Sequence, residues 1–500
     1  MIVIITVKYG RYTFILLFIT HTLKSIIVIY FIYFFIIFLI NKPDKKRKGS
    51  DILQMEVVAI GGYEEVGRNM TAINVDGEII IFDMGLRLDR VMIHEDTDIS
   101  KMHSLNLIEM GVIPNDTIMK NIEGEVKAIV ASHGHLDHIG AITKLSHRYN
   151  APIIGTPYTI ELIKREILSE KKFDVRNPLI TLNAKETMDL TSNLSLEFVK
   201  ITHSIPDAVL PVLHTPYGSL VYGNDFKFDN FPIIGEKPDY RAIKRIGKNG
   251  VICMISESTR VDFEGKTPSE GVAASLLRND LLGTDNQSNG IVVTTFSSHI
   301  ARIKSIADVA EKMGRTPILI GRSMVKYCGI AEDIGLVNFP ENTRIAGDPS
   351  AVDRIFRQVM KEGKENYLLI VTGHQGEEGA VLSRMATDKT PFRFEEYDQV
   401  IFSADVIPNP MNAAQRYMLE ARLKLLGVRL FKGAHVSGHA SKEDHRDMIR
   451  WLNPEHLIPS HGDFNLTATY AKLAEEEGYR LGEDVHILRN GQSLKFERII

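Results

Sequence analysis

The sequence predicts an α/β protein with a mostly parallel sheet in its second half. Hydrophobic residues make up 44% and charged residues 24% of the 500 residues, which is typical of folded globular chains. The part that begins at Met55 is rich in β-prone segments, and helical spacing follows some of them. From Gly290 onward, apolar β-rich runs alternate with helical stretches, as in a sheet covered by helices. These observations exclude disordered, collagen-like and polytopic membrane proteins.

In the first half, short apolar runs predict strands, and turn residues mark the connections between them. Asp76-Gly77 is a strong signal for a hairpin between two of these strands. Apolar residues at helical spacing predict a helix over Ile139–Tyr149. The predicted strands are Met55–Tyr63, Ile73–Val75, Glu78–Phe82, Val126–Ser132, Leu194–Thr202 and Leu220–Gly223.

In the second half, strands and helices are predicted in alternation. The predicted strands are Gly290–Phe296, Pro317–Ile320, Tyr367–Thr372, Gln399–Ser403 and His456–Ser460. The predicted helices are Ile300–Met313, Met411–Leu426 and Leu466–Glu477.

Residues 1–54 differ from the rest of the chain in composition. The stretch Ser25–Ile40 carries no charge, and the basic run Lys45–Lys48 follows it. We expect either a membrane anchor that holds the body on the cytoplasmic side or a mis-assigned start, with the chain beginning near Met55. A cleaved signal peptide is disfavoured because no small-residue cleavage site follows the apolar run. Without this segment the net charge falls from −4 to −10, so a body that acts on a polyanion needs bound cations or a local basic groove.

A run of histidines is the strongest local signal for chemistry. Ser132–His138 reads Ser-His-Gly-His-Leu-Asp-His and directly follows a predicted strand. Imidazole and carboxylate ligands together suit Zn²⁺, with Mn²⁺ as the alternative. Burying these groups together would be costly without a metal. The only cysteines, Cys253 and Cys328, exclude a site made of cysteines alone. The candidate ligands in the run are His133, His135, Asp137 and His138.

Three further candidate ligands follow predicted strands elsewhere in the chain. His203 ends the strand Leu194–Thr202, Asp225 follows Leu220–Gly223, and His461 follows His456–Ser460. Since sites gather where strands end at one edge of a sheet, we expect these side chains to join the histidine run.

The His-x-His-x-Asp-His run resembles the signature of the metallo-β-lactamase superfamily. His203 and Asp225 stand in the order of its next two motifs, and Asp83 resembles the aspartate that supports the ligands in that superfamily. The resemblance implies an αββα sandwich with a metal site at one edge.

Further motifs resemble the nucleic-acid branch of that superfamily, named β-CASP, and within it the ribonuclease J family. Glu257, His439 and His461 resemble the three additional β-CASP motifs. The runs Gly61–Met70, His203–Asp207, Thr372–Glu377 and His435–His439 resemble ribonuclease J. The implied domains are a metallo-β-lactamase domain over 55–259 and 426–500, interrupted by a β-CASP α/β domain over 260–425. Because the chain ends 39 residues after His461, it resembles archaeal members without a further C-terminal domain.

The resemblance also implies roles for the site residues. One of two zinc ions would bind His133, His135 and His203, the other would bind Asp137, His138 and His461, and Asp225 would bridge them. His439 would be the general acid, and Glu257 would orient it. The residues that would contact the RNA backbone are His435, Val436, Ser437, Gly438 and His439.

The expected function is a two-zinc ribonuclease that degrades RNA mainly from its 5′ end, with some internal cleavage. It would work in the cytoplasm as a homodimer, and at a membrane only if residues 1–54 are expressed. Alternatives are a cleavage-factor-type endoribonuclease, a small-molecule metallo-hydrolase and an RNA-binding scaffold without activity.

Two groups of residues before and within the predicted β-CASP helices are left with open roles. Ser298 either binds phosphate at a helix N-terminus or caps that helix. The candidates for a basic RNA groove are Arg302, Arg322, Lys326 and Arg384.

Overall fold

The computed structural model describes residues 2–9, 12–19, 52–93, 101–284, 288–407 and 410–499. It contains two compact units, Met1–Leu53 with Glu497–Ile500, and Gln54–Phe496. In the first unit, two strands pair as an antiparallel hairpin. The predicted apolar stretch Ser25–Ile40 lies outside the described residues. Within the described ranges, no helix combines the length and the apolar character needed to cross a bilayer.

The strands occur in every part of the described chain, and most follow the apolar runs of the sequence. They are β1 (Ile2–Tyr9), β2 (Tyr12–Ile19), β3 (Ile52–Gly61), β4 (Met70–Val75), β5 (Glu78–Phe82), β6 (Glu125–Val130), β7 (Ile153–Gly155), β8 (Leu179–Thr181), β9 (Thr187–Asp189), β10 (Ser195–Lys200), β11 (Val209–Thr215), β12 (Gly218–Gly223), β13 (Val251–Glu257), β14 (Ile291–Thr294), β15 (Thr316–Ile320), β16 (Arg344–Ala346), β17 (Tyr367–Val371), β18 (Gln399–Phe402), β19 (Arg429–Lys432), β20 (His456–Ser460) and β21 (Gln492–Ile499).

Helices lie between most of these strands. They are α1 (Leu88–Ile93), α2 (Ser104–Glu109), α3 (Leu136–Ile139), α4 (Ile142–Leu145), α5 (Pro157–Ser169), α6 (Tyr240–Asn249), α7 (Glu270–Leu282), α8 (Ile300–Lys312), α9 (Arg322–Asp333), α10 (Pro349–Glu362), α11 (Val381–Ala386), α12 (Pro410–Leu425), α13 (Lys442–Leu452) and α14 (Phe464–Glu476).

Two sheets face each other and form the αββα sandwich that the sequence predicts. One sheet has the strand order β21-β3-β4-β5-β6-β7-β8, and the other has the order β20-β13-β12-β11-β10-β9. Their inner faces meet where Phe82 stacks on Tyr222, with ring centroids 5.0 Å apart. Outside the second sheet, α6, α13 and α14 contribute Ile243, Met448 and Tyr470 to one apolar cluster. This burial is the main force that holds the layers together.

The third sheet has the strand order β16-β15-β17-β14-β18-β19, and its strand pairs are all parallel. The alternation of strand and helix after Gly290 therefore predicted its class correctly. The sheet continues past the predicted boundary at residue 425, because β19 pairs with β18. Helices cover both faces: Ile303 of α8 and Phe356 of α10 belong to apolar clusters on different sides.

The predicted hairpin is confirmed, but one predicted helix is wrong. β4 and β5 are antiparallel, and Asp76 takes the left-handed φ of 51° that such a turn requires. Ile139–Tyr149 does not form one continuous helix, because backbone groups at its start form hydrogen bonds with the loop after β5. The N–H of Met84 donates to the carbonyl of His138 (2.7 Å), and the N–H of Ala141 donates to the carbonyl of Met84 (2.8 Å). Two short helices and a 3₁₀ turn therefore replace the helix.

Candidate metal centre

The candidate ligands lie where strands of the two facing sheets end. β12, β13 and β20 are parallel neighbours, so Asp225, Glu257 and His461 stand at or just beyond three adjacent strand ends. The histidine run leaves β6 in the opposite sheet and enters α3, and Asp83 follows β5 beside it. The topology therefore brings together residues that lie far apart in the sequence.

One group of ligands consists of three imidazoles and a carboxylate. Nδ1 of His135 lies 3.2 Å from Nε2 of His133 and 3.1 Å from Nε2 of His203. Oδ2 of Asp225 lies 3.4 Å from the same nitrogen of His133 and 3.5 Å from that of His203. All four ligand atoms lie within 4.8 Å of one another, a spacing that a single tetrahedral metal ion can span.

A second group shares Asp225 with the first. Nε2 of His138 lies 3.2 Å from Oδ2 of Asp225, and Nε2 of His461 lies 3.4 Å from Oδ1. Oδ2 of Asp137 lies 3.6 Å from the nitrogen of His461. One carboxylate between two ligand groups is the arrangement that bridges a pair of ions.

The protonation states of His135, His203 and Asp225 fit a metal. Burial lowers the pKa of His135 and of His203 well below the usual range, so both imidazoles are neutral. Burial would raise the pKa of Asp225, but His461 and His138 hold it well below its usual range. Neutral imidazole and ionised carboxylate are the forms that bind zinc. Burial would lower the pKa of His138, but Asp225 and Asp137 raise it well above the usual range, so a metal bound there would displace a proton. Oδ1 of Asp225 is buried without a hydrogen-bond partner among the described residues, as expected of a ligand atom.

Neighbouring groups fix the orientation of the ligands. Asp83 accepts hydrogen bonds from the N–H of Ser132 (2.8 Å) and its hydroxyl (2.8 Å), and lies 2.7 Å from Nδ1 of His138. Nδ1 of His203 donates to the carbonyl of Gly438 (2.7 Å). These contacts leave Nε2 of both imidazoles for a metal.

His439, which is partly exposed, and the buried Glu257 form a pair beside the two ligand groups. Nδ1 of His439 lies 2.6 Å from Oε2 of Glu257, whose Oε1 accepts from the N–H of Phe226 (2.8 Å). Burial lowers the pKa of His439, but Glu257 and Asp225 raise it to about 9, so the imidazole holds a proton near pH 7. The pair can therefore deliver a proton.

The run predicted to contact RNA, His435–His439, ends with the histidine of this pair. The hydroxyl of Ser437 accepts from the N–H of His439 (3.1 Å), whereas Val436 is buried and its side chain serves packing. Gly438 lies so close to Ser204 that a Cβ would come within 2.7 Å of it.

Three site residues adopt a left-handed backbone that non-glycine residues rarely take. The φ angles are 59° at Asp83, 54° at Asp225 and 49° at His461. Each residue stands just after a strand, where the turn aims its side chain into the centre. Such strain concentrates at functional sites.

The structure corrects the interpretation of the basic residues and assigns a contact to Ser298. Arg302 is fully buried, and Lys326 forms an ion pair with Glu166 (2.6 Å), so neither is a free groove cation. In the described part of the chain, the hydroxyl of Ser298 accepts no hydrogen bond from a backbone N–H of α8. It lies instead 3.2 Å from Nε2 of His135. The side-chain amide of Asn69 lies 3.2 Å from Nε2 of His138. The sequence did not single out this residue, because the run Gly61–Met70 shows no pattern of metal ligands.

Comparison with known proteins places the chain in a family. Residues 65–237 match the metallo-β-lactamase superfamily, 288–419 match the β-CASP domain of ribonuclease J, and 428–488 match the RNA specificity domain of zinc-dependent metallo-hydrolases. A ribonuclease J from Methanocaldococcus jannaschii is 79% identical over 448 residues, which cover 90% of this chain and 100% of that protein. This chain belongs to the ribonuclease J family.

More distant members extend this ribonuclease J assignment. Ribonuclease J of Pyrococcus abyssi is 52% identical over 88% of this chain and 97% of its own length. Ribonuclease J2 of Bacillus subtilis is 29% identical over 90% of this chain and 76% of its own length. The crystal structure of a protein of unknown function from Enterococcus faecalis aligns over 89% of this chain and 100% of its own, with a TM-score of 0.61 at 17% identity, and shows the fold alone.

Proposed function

We propose that the chain hydrolyses RNA with two zinc ions per subunit, Mn²⁺ being the alternative metal, and works mainly as a 5′-to-3′ exonuclease. Its family membership makes it a metal-dependent ribonuclease that acts in RNA processing. The number of metals, the direction of degradation and the role of each residue are the proposal. The observation that carries it is Asp225, which lies within ligand distance of both groups.

The ligand sets of the proposal are those of the two groups. His133, His135 and His203 would hold one ion, and the other would be held by Asp137, His138 and His461. Bound there, the ions would supply positive charge to the phosphoryl oxygens and would acidify the attacking water. This charge also offsets the acidic balance of the body, which carries a net charge of −10 beyond residue 54.

The chain's own groups would complete the reaction. His439 would give a proton to the leaving 3′ oxygen, and Glu257 would hold its ring in place through Nδ1. The hydroxyl of Ser437 and the ring of His435 would bind the RNA backbone next to the scissile bond. Asp83 would keep His138 in the orientation that binds a metal.

We further infer a homodimer that works in the cytoplasm and has the domains 55–259, 260–425 and 426–500, with β19 of the last segment completing the sheet of the inserted domain. The resemblance to the family supports the dimer, and α12 exposes Tyr417, Met418 and Leu425 to solvent. Analytical ultracentrifugation would give twice the mass of the chain, and a monomer at micromolar concentration would refute this inference.

The decisive experiment uses 3′-labelled RNA with a 5′ monophosphate, triphosphate or hydroxyl. Mononucleotides released from the 5′ end, fastest from the monophosphate, would support an exonuclease. Internal fragments that do not depend on the 5′ group would instead indicate an endonuclease. Asp137→Ala should abolish cleavage, whereas Asp174→Ala, which removes an exposed aspartate paired with Arg176, should not.

The zinc count needs a separate measurement. Elemental analysis of the purified chain should give two zinc ions, and Asp137→Ala should lower that number. A single ion in the active wild-type chain would refute the two-metal proposal while leaving the ribonuclease assignment intact.

A further inference from the structure

The carboxyl edge of the parallel sheet brings together residues from three neighbouring strands. β14, β18 and β19 are parallel neighbours, so the residues after them meet at one edge. The loop after β14 contains Ser298 and leads into α8; Ser403 follows β18, and Ala434 and His435 come soon after β19. Such an edge is where α/β proteins place their ligands.

Arg302, in the first turn of α8, is completely buried at this edge. Its guanidinium forms an ion pair with Glu270 through two nitrogens, and Nη1 donates to the carbonyls of Ser403 (2.9 Å) and Ala434 (3.1 Å). Because a buried charge that loses its partners is strongly destabilising, these acceptors fix the orientation of the guanidinium. Nη1 is thereby held next to the start of the run His435–Gly438.

This orientation determines the tautomer of His435. Nη1 of Arg302 lies 3.4 Å from Nδ1 of His435. The two hydrogens of Nη1 already go to the carbonyls of Ser403 and Ala434, but the guanidinium is positively charged and has only donors, so an N–H on Nδ1 would face another donor. Nδ1 therefore keeps its lone pair, and the proton of the ring is on Nε2. Burial and the charge of Arg302 lower the pKa of His435 to about 3, which keeps the ring neutral. His435 can then bind a phosphate oxygen through a single N–H, without a charge.

Ser298 also sets the tautomer of an imidazole, that of the candidate metal ligand His135, but it does so as a hydrogen-bond acceptor. Nδ1 of His135 faces Nε2 of His133 and of His203, so its Nε2 carries the proton when Nδ1 binds a metal. That Nε2 lies 3.2 Å from the hydroxyl of Ser298, which therefore accepts its proton. Ser298, in the inserted region, thus supports His135, which follows β6 of the sandwich.

We propose that Ser298 and Arg302 are positioning residues that set the tautomers of two imidazoles, His135 and His435. Ser298 holds His135 for metal binding through Nδ1, and Arg302 holds His435 as a neutral donor through Nε2. Because the two residues are four positions apart at the start of one helix, the placement of α8 determines both the metal centre and the RNA contact. The inference deepens the proposed function and rests on it.

The first test measures metal affinity. Ser298→Ala should weaken zinc binding roughly tenfold, measured by competition with a chromogenic chelator, because outer hydrogen bonds to ligands have effects of this size. The matched control is Ser305→Ala on the same helix, which should leave zinc affinity unchanged. In the described part of the chain, the hydroxyl of Ser305 donates to the carbonyl of Ala301 and to no other group. Equal zinc affinity of Ser298→Ala and the wild type would overturn the role of Ser298.

The second test measures RNA binding without metal. Arg302→Lys should weaken binding of a fluorescent RNA to EDTA-treated protein and raise KM roughly tenfold, with smaller effects on kcat and zinc content. The control is Arg315→Lys, a buried arginine that donates to the carbonyls of Asn289 and Tyr367 away from the site. Wild-type RNA affinity in Arg302→Lys would overturn the role of Arg302. A wild-type chain that neither binds zinc nor cleaves RNA would instead refute the proposed function.

A third measurement needs no arginine variant and stays decisive if Arg302→Lys does not fold. Nitrogen-15 NMR of histidine-labelled wild-type protein reports the tautomer of each ring, and His435→Gln assigns one signal. A neutral ring with its proton on Nε2 is expected for His435. A proton on Nδ1, or a charged ring at pH 7, would overturn the proposal.

Discussion

Replacing Asp83 by asparagine tests whether a buried carboxylate outside the ligand set controls metal affinity. Asp83 is completely buried and lies within hydrogen-bond distance of three donors, the N–H and hydroxyl of Ser132 and Nδ1 of His138. Asparagine has almost the same shape and tolerates the left-handed φ of 59° at this position. It has one acceptor oxygen instead of two, so one of these donors would face an amide N–H₂.

The size of the effect follows from that lost acceptor. A hydrogen bond to a charged group contributes about 1.5–3 kcal/mol. Since about 1.4 kcal/mol is a factor of ten, zinc affinity should fall roughly 10- to 100-fold if the loss acts on the metal-bound state. The effect should appear in the site that uses His138, while the site that uses His135 should change less.

Zinc dissociation constants from chelator competition would measure this change, and thermal unfolding of the zinc-free protein would report any loss of stability. Asp388→Asn is the matched control, because Asp388 is also left-handed (φ 56°) but lies exposed and far along the chain in the inserted region. A zinc affinity of Asp83→Asn within threefold of the wild type, with the fold intact, would refute the argument that Asp83 supports the centre.

Three further predictions concern the reaction. EDTA should abolish cleavage of RNA and added Zn²⁺ or Mn²⁺ should restore it; cleavage that persists after complete removal of metal, checked by elemental analysis, would contradict a metal-dependent mechanism. Glu257→Gln should lower kcat at least tenfold while zinc content stays constant, because the neutral amide no longer stabilises protonated His439; an unchanged kcat in single-turnover assays would exclude the pair from proton transfer. Gly438→Ala should lower both zinc affinity and activity, because a Cβ would meet Ser204 within 2.7 Å and displace the carbonyl that orients His203; normal zinc content would argue against that contact.

The sequence indicates the cluster of candidate ligands more directly than the residues around it. Four candidate ligands packed into Ser132–His138 can be recognised without a fold, because neighbouring residues are necessarily close in space. His203, Asp225 and His461 could only be inferred from their positions after strands. Asp225 and His461 meet because β12, β13 and β20 lie side by side, and no local pattern specifies that order.

Long-range contacts explain the errors. Arg302 looked like a groove cation because arginine is usually exposed, but Glu270, on the preceding helix, buries it as an ion pair. The helix over Ile139–Tyr149 had the right apolar spacing, yet the backbone of Met84 competed for its hydrogen bonds. In both cases a partner that is distant in the sequence overrode a correct local preference.

The strained backbone shows that the centre is built at the expense of stability. Each left-handed residue of the site costs roughly 1–3 kcal/mol, and the total stability of a typical domain is only about 5–15 kcal/mol. Glycine would remove that strain at Asp83, Asp225 and His461, but it would also remove a carboxylate or an imidazole that the centre uses. The neighbouring strands hold these turns in place, since each residue follows a strand paired on both sides or packed within the sandwich. A bound metal would stabilise the folded chain further, because only the folded chain brings its ligands together. Zinc should therefore raise the melting temperature of this chain, and the gain should shrink in any variant that weakens one ligand group.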